Sequence, residues 1–253
     1  MDASTPAGAH ADAADPSPVV SLPPTASAPA PATELILRPR QASDDDDIRR
    51  ILRTTLQLGQ PLGVDAGDLA GYESLCLDWY LERGQVIVAV EAGRVRGYLL
   101  ACLDQPAYER WARRRAVRWG AAAVGEIAIG RRRADARRFV WLRIRDGLTA
   151  WRHAPRAVLP AHAHFNLDAD VRGAGTGHRL AAAMDELVDR AGLPGWYGEL
   201  NVPAGVALTA IERAGARVVY RQSNRTLSWL SGVPVERATI ARLLDDRTGV
   251  LRR

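Results

Sequence analysis

The stretch 159–183, LPAHAHFNLDADVRGAGTGHRLAAA, reads as a strand, a glycine-rich turn and the beginning of a helix. Polar and apolar side chains alternate over residues 159–167, which is the pattern of a half-buried strand. In the turn RGAGTG, residues 172–177, the glycines allow consecutive backbone N–H groups to face one anion without an intervening Cβ. A helix that begins near Thr176 adds the positive end of its dipole. The stretch therefore predicts a binding site for a pyrophosphate.

Three other kinds of glycine-rich turn compete for this position. A Walker loop would continue with lysine and then serine or threonine, but His178 and Arg179 follow the last glycine. A dinucleotide-binding fingerprint spaces its glycines two and then three residues apart near the start of a βαβ unit. Here Gly173, Gly175 and Gly177 are spaced two and two and lie late in the chain. An ordinary tight turn without a ligand is the third alternative.

The pattern Arg-Gly-x-Gly-x-Gly, after a strand and before an amphipathic helix, resembles the acetyl-coenzyme A loop of the GNAT N-acetyltransferase superfamily. The resemblance implies an α/β fold with a mixed, mostly antiparallel sheet of about six or seven strands flanked by helices. It implies acetyl-coenzyme A as cosubstrate, with the oxyanion of the reaction bound by the backbone N–H near Leu167, where the strand bulges in this superfamily. The residues expected to bind the cosubstrate are Leu167, Arg172, Gly173, Ala174, Gly175, Thr176, Gly177, His178 and Asn201.

A second resemblance is narrower and rests on fewer residues. Residues 86–103 read as two antiparallel strands joined by a tight turn, like the second and third strands of a GNAT domain. The sequence GYLLACLDQPAYERW at 97–111, together with PAHAH at 160–164, resembles a bacterial branch akin to the acetyltransferase-like domain of O-GlcNAcase proteins.

The remaining patterns assign the chain to one domain with appendages. With 253 residues and 47% hydrophobic content, the chain can bury one full core. We expect a disordered Ala/Pro/Ser-rich segment over 1–33, the GNAT domain over 34–232 and a C-terminal helix and tail over 233–253. Before the glycine-rich turn, the predicted elements of the domain are a strand at 34–38, helices at 43–58 and 72–83, and a basic helical insertion at about 105–157 between the third and fourth strands. After the turn, we predict helices at 177–191 and 205–214 and strands at 196–202, 217–220 and 225–230. A terminal helix is predicted at 234–244.

The composition also bounds the location and the metal content. The chain begins with Met-Asp and early prolines break any apolar run, which argues against a secretory signal. No stretch reaches the roughly 18 apolar residues of a membrane span. Cys76 and Cys102 lack disulfide or metal-ligand spacing, and the aspartates at 44–47 point in different directions around a helix. We expect a cytoplasmic protein without a bound metal.

The section 110–156 is strongly basic and contains several tryptophans. Arginines neutralise phosphates and exposed aromatic rings stack on bases, so nucleic-acid binding is one interpretation. Amphipathic helices with aromatic rings in the core and arginines in water explain the same pattern more simply, and we favour that interpretation. A third interpretation is an arginine-lined cleft for the phosphates of coenzyme A or for an anionic acceptor.

Two histidines on the strand before the loop are the candidate bases. A histidine titrates near pH 6.5, so His162 or His164 could take a proton from an ammonium group at neutral pH. By strand period they share one face, and we favour His164 because it lies three residues before Leu167. A structural role for either histidine is the alternative.

One position departs from the superfamily. Many GNAT enzymes place a tyrosine, as proton donor to the departing thiolate, where this chain has Ile211. Two classes of function therefore stay open: an N-acetyltransferase that acts on a small-molecule or peptide amine, and a catalytically inactive relative that binds acyl-coenzyme A or a partner. The acceptor and a homodimeric state are left open at this point.

Overall fold

The structure is a computed structural model, and it describes residues 35–67, 69–153, 155, 158–172 and 175–244. The disorder predicted for 1–33 and two residues of the loop, Gly173 and Ala174, lie outside the described residues. No helix in the described ranges has the length and apolar character needed to cross a lipid bilayer.

A mixed sheet of seven strands forms the centre of the described chain, in the order β1-β2-β3-β4-β5-β7-β6. Only β4 and β5 pair in parallel, and every other neighbouring pair is antiparallel. This confirms the predicted α/β class and the mostly antiparallel sheet. The strands are β1 (Ile36–Pro39), β2 (Gln85–Glu91), β3 (Arg94–Cys102), β4 (Ala161–Leu167), β5 (Gly195–Pro203), β6 (Arg217–Ser223) and β7 (Val235–Leu243).

Seven α-helices flank this sheet in the described ranges, and two of them form the predicted insertion between β3 and β4. The insertion's first helix begins after Asp104, whose side chain accepts a hydrogen bond from the Ala107 N–H. Pro106 in the first turn also favours a helix start at this point. The helices are α1 (Asp45–Thr55), α2 (Ala70–Arg83), α3 (Gln105–Ala128), α4 (Ala134–His153), α5 (Thr176–Arg190), α6 (Thr209–Arg213) and α7 (Arg225–Ser231).

Different helices cover the two faces of the sheet. α1 and α2 pack on one face, where Ile51 and Leu77 meet Tyr98 of β3. α5 packs on the opposite face through Leu180 and Met184, which repeat at helical spacing. We call the first the α2 face; His162 and His164 lie on it, next to the ring of Tyr80.

Two predicted elements near the C-terminus are wrong. Residues 225–230 form helix α7 rather than a strand, because the Asn224 side chain accepts a hydrogen bond from the Leu227 N–H and caps a helix there. Residues 234–244 form strand β7 rather than a terminal helix, because β7 is inserted between β5 and β6 and pairs with both. The sheet therefore continues beyond the predicted domain boundary at 232.

Candidate active site

β4 and β5 pair for only three residues and then separate. The last pair is Ala163 with Gly198. The Asp168 N–H donates to the Arg96 carbonyl at 2.7 Å, and antiparallel hydrogen bonding alternates, so the N–H and C=O groups of Phe165 and Leu167 point toward β5. Because β5 has already diverged, the N–H groups of Phe165 and Leu167 and the Phe165 carbonyl face a gap between the two strands.

The bulge that the resemblance implied at Leu167 is absent from the described pairing. The register of β4 against β3 runs without a shift from Cys102–His162 to Gly97–Leu167. The Leu167 N–H faces the gap because β5 diverges and not because β4 bulges. A fixed main-chain donor therefore still points into the space between the strands.

The N-terminus of α5 lies beside the end of β4. Gly175 precedes the helix with φ +79°, a conformation that favours glycine, and no side chain in the described residues caps the helix. The N–H groups of the first helical turn have no partner within a helix, so those of Thr176, Gly177 and His178 are available to an anion. A Cβ on Gly177 would lie 3.9 Å from Leu167 Cδ1, which puts the open turn next to the gap.

Arg172 holds this loop against the strand. Its guanidinium donates to the carbonyl oxygens of Leu167 at 2.8 Å and of Gly59 at 3.0 Å. It thereby also connects the loop to the chain that follows α1. Arg172 and three other arginines line a neighbouring cleft of about 370 Å³, in which Asp168 accepts a hydrogen bond from Arg50 at 3.0 Å.

His162 is buried and both of its ring nitrogens are occupied. Its Nδ1 lies 2.5 Å from Gln105 Oε1, and its Nε2 lies 2.6 Å from the Tyr80 hydroxyl. Since an amide oxygen only accepts, Nδ1 carries the proton and Nε2 accepts from Tyr80. Burial, with the nearby His164 as a second cause, holds the His162 pKa well below 6.5. The arrangement is that of a neutral structural histidine.

His164 is half-buried and its ring lies 5.5 Å from that of His162. Burial lowers its pKa below 6.5; Arg237 acts in the same direction, and Glu199 opposes it. His164 is therefore neutral at pH 7 and able to accept a proton. It follows Ala163, the last residue of β4 paired with β5, so it lies where the gap begins.

An ion pair on β5 and β7 faces the same region. Arg237 Nη1 lies 3.5 Å from Glu199 Oε2, and both side chains are largely buried. Asn166 of β4 donates to the Tyr98 hydroxyl at 2.7 Å. The sequence analysis gave Arg237 no role, because residues 234–244 were predicted to be helical.

The insertion covers this side of the sheet. Arg143 of α4 lies over the rings of Tyr72 and Phe139, at 5.4 and 5.3 Å. Burial raises the pKa of Tyr72 to about 12, while Arg143 and Arg237 act in the opposite direction. Sequence reasoning also missed Tyr72 and Arg143. The signal that could have found Arg143 is the spacing of the inner side of α4, on which Ala136, Phe139, Val140, Arg143 and Asp146 recur.

Two other positions lie at the margin of the site. Asn201 is exposed, and its Oδ1 accepts a hydrogen bond from Asn224 Nδ2 at 2.8 Å, which connects the end of β5 to α7. Ile211, in the short α6, packs partly buried against the core and has no proton to donate.

No group of three or more His, Cys, Asp or Glu side chains in the described ranges is arranged to hold a metal ion.

Comparison with protein-family models and with curated proteins found no match. Solved structures do match. A Drosophila melanogaster polyamine N-acetyltransferase that forms N-acetylagmatine has a TM-score of 0.55 and 14% identity over 83% of this chain and 100% of that chain. A GCN5-related N-acetyltransferase from Kribbella flavida has a TM-score of 0.50 and 17% identity over 83% and 98%.

An agmatine N-acetyltransferase in its apo form has a TM-score of 0.51 and 14% identity over 83% of this chain and 99% of that chain. At such identities the likeness establishes the fold. The chain therefore has the fold of the GNAT N-acetyltransferases. The narrower resemblance to the O-GlcNAcase-like branch stays a prediction.

Proposed function

We propose that this protein is an N-acetyltransferase that moves the acetyl group of acetyl-coenzyme A to an amine. The observation that carries the proposal is the gap between β4 and β5, which main-chain groups of β4 face and which lies next to the uncapped N-terminus of α5. The first suits the amide-rich pantetheine arm, and the second suits a pyrophosphate. The likeness in fold to a polyamine and an agmatine N-acetyltransferase supports the same activity.

His164 is the proposed base and Leu167 the proposed oxyanion donor. His164 takes a proton from the ammonium group of the acceptor, and the free amine nitrogen then attacks the thioester carbonyl carbon. The Leu167 N–H donates to the oxygen that becomes negative. The C–N bond forms and the C–S bond breaks, the amine loses its second proton, and coenzyme A leaves as the thiolate, which is protonated to the thiol.

The test is binding of acetyl-coenzyme A to a matched pair of variants. We expect acetyl-coenzyme A to raise the melting temperature of the wild type, and Gly175→Asp to abolish that shift because its carboxylate repels the pyrophosphate. Gly192→Asp is the control: Gly192 lies just beyond the other end of α5, also has positive φ, and also has open space around its Cβ position. Equal affinity of wild type and Gly175→Asp for acetyl-coenzyme A would refute the predicted pyrophosphate site at this turn.

A further inference from the structure

A cleft rich in arginine lies beside the loop that leads into α5. It has a volume of about 370 Å³ and is formed by the C-terminal half of α1, the start of β3 and residues 168–172. We call it the arginine cleft, after the charged residues that line it: Arg50, Arg94, Arg96, Asp168, Asp170 and Arg172. Small-molecule sites span about 300–1,000 Å³, so this volume suits a phosphorylated sugar better than a whole coenzyme.

Two of the four arginines already have carboxylate partners. Arg50 donates to Asp168 at 3.0 Å and to Asp47 at 2.9 Å. Arg96 is paired with Asp170 and also lies 3.6 Å from Asp168. Because carboxylates of the protein balance these two charges, neither guanidinium requires an anionic ligand.

The other two arginines have no carboxylate partner in the described ranges. Arg94, the first residue of β3, is exposed and takes part in no ion pair there. The Arg172 guanidinium donates to the carbonyl oxygens of Leu167 and Gly59, which hold it in place without cancelling its charge. The arginine cleft therefore presents two positive charges that the described part of the protein does not neutralise.

Leu167 connects the arginine cleft to the turn proposed for the pyrophosphate. Its carbonyl oxygen accepts from Arg172 Nη2 at 2.8 Å, and its Cδ1 lies 3.9 Å from the Cβ position of Gly177 in the first turn of α5. The cleft and the turn thus contact the same residue. One ligand of the size of a nucleotide can reach both.

We infer that the arginine cleft binds the 3′-phosphate of coenzyme A through Arg94 and Arg172, while the pyrophosphate lies at the first turn of α5. This inference rests on the proposed function and adds a specificity-determining site for the same cosubstrate. In coenzyme A a single ribose joins the 3′-phosphate to the pyrophosphate, which suits two anion sites that share Leu167. A phosphate monoester carries a charge of about −1.5 to −2 at pH 7, which matches two guanidiniums without carboxylates.

A matched pair of coenzymes tests the inference. Coenzyme A and 3′-dephospho-coenzyme A differ only in this phosphate, and titration calorimetry with the full chain measures the affinity for each. We expect coenzyme A to bind more tightly by roughly 10-fold or more, because only it accepts charge-assisted hydrogen bonds in the cleft. The preference should shrink as the salt concentration rises, since Arg94 is exposed.

Two variants assign the preference to the cleft. Arg94→Gln should lower the affinity for coenzyme A by roughly 5- to 10-fold and leave that for the dephospho form unchanged. The control is Arg217→Gln, since Arg217 is likewise the exposed first residue of a strand. Through its pairing with Ala241, and that of Ala241 with Tyr197, it is level with the start of β4, whereas the cleft adjoins the end of β4. The melting temperature of each variant without ligand reports whether it is folded.

The outcomes separate this inference from the proposed function. Equal affinity of the wild type for the two coenzymes, or the same preference in wild type and Arg94→Gln, would overturn the inference and leave the acetyltransferase intact. Binding of neither coenzyme would overturn the proposed function and the inference with it.

A phosphate on the acceptor is the other source of the same chemical group. Phosphoethanolamine, an amine that carries a phosphate monoester, is the probe for it. We expect no stabilisation by this probe that depends on Arg94 once coenzyme A is bound, because the 3′-phosphate then fills the cleft. If phosphoethanolamine raises the melting temperature of the coenzyme-loaded wild type but not of loaded Arg94→Gln, the cleft holds the acceptor and the inference is overturned.

Discussion

The two sides of the gap between β4 and β5 are built from different parts of the polypeptide. On the side that we propose for acetyl-coenzyme A, called the cofactor side below, the groups available to a ligand are main-chain N–H groups at Leu167 and at the first turn of α5, all within one short stretch. On the side that we propose for the acceptor, called the acceptor side below, they are side chains: His164, Glu199 and Arg237, from three strands.

The two sides should therefore tolerate different substitutions. A main-chain site depends on φ, on the absence of a Cβ and on local hydrogen bonds, so it requires glycines and little else. A side-chain site depends on each element being held at a fixed distance from the others. The acceptor side should therefore be more sensitive to changes far from the ligand than the cofactor side.

The largest effect is expected at His164. If His164 takes the proton, His164→Ala should lower turnover at pH 7 by roughly 10²-fold or more and leave the affinity for acetyl-coenzyme A nearly unchanged. Turnover should recover partly at higher pH, where the amine loses its proton unaided. Thiol release as a function of pH, with an acceptor on which the wild type is active, measures this, and full turnover of the variant at pH 7 would exclude His164 as the base.

The next largest effect is expected on stability, at the contact that holds helix α4 of the insertion against α7. The buried Asp146 of α4 accepts hydrogen bonds from the Thr226 N–H at 2.8 Å and the Thr226 hydroxyl at 2.6 Å, and from the Arg225 N–H at 3.2 Å. Asp146→Ala should lower the free energy of unfolding by about 2–4 kcal/mol, since three donors lose a charged acceptor.

Chemical denaturation measures this difference. The matched control is Asp135→Ala, an exposed carboxylate in the first turn of the same helix, for which a loss within about 1 kcal/mol is expected. If both variants lose the same free energy, Asp146 does not anchor the insertion.

A smaller effect should appear as a dependence of stability on pH. The pKa values of His162 and His164 are lowered in the folded protein, so below pH 6.5 the unfolded chain binds protons that the folded chain does not. Stability should be constant above about pH 7 and fall as the pH drops below 6.5, by at most about 1.4 kcal/mol per pH unit for each histidine. The carboxylates with lowered pKa values act only near and below pH 4.

Denaturation of the wild type and of His162→Gln at pH 7.5 and 5.5 tests this. The free energy of unfolding of His162→Gln should be lower at both pH values and should depend less on pH than that of the wild type. The control is His178→Gln, because His178 is exposed at the first turn of α5. An unchanged slope in His162→Gln would mean that its protonation is not coupled to folding.

The smallest change in stability is expected on the cofactor side. A Cβ on Gly177 would make only ordinary contact with Leu167 Cδ1 at 3.9 Å, so Gly177→Ala should alter the free energy of unfolding by less than about 1 kcal/mol, with a gain expected from helix propensity. Its effect should appear instead as weaker binding of acetyl-coenzyme A, measured by titration calorimetry. A folded variant with unchanged affinity would indicate that the ligand does not approach this turn.

Strand β4 and helix α5 could be predicted from the sequence alone, and with them the class of fold. The alternation over residues 159–167 and the Arg-Gly-x-Gly-x-Gly turn are local patterns, and local backbone requirements are written in adjacent residues. The hairpin of β2 and β3 and the insertion between β3 and β4 were predictable for the same reason. So was the position of both histidines on one face of β4.

The contacts that these residues make could not be predicted, because they depend on how distant segments of the chain pack together. Residues 234–244 became β7 because β5 and β6 offered two open edges, and that placed Arg237 next to Glu199. His162 and His164 are equivalent by strand period, yet Gln105 and Tyr80 occupy both nitrogens of the first and leave the second at the gap. Such contacts join residues up to 82 positions apart, and no local pattern encodes a distance between segments that meet only when the chain has folded.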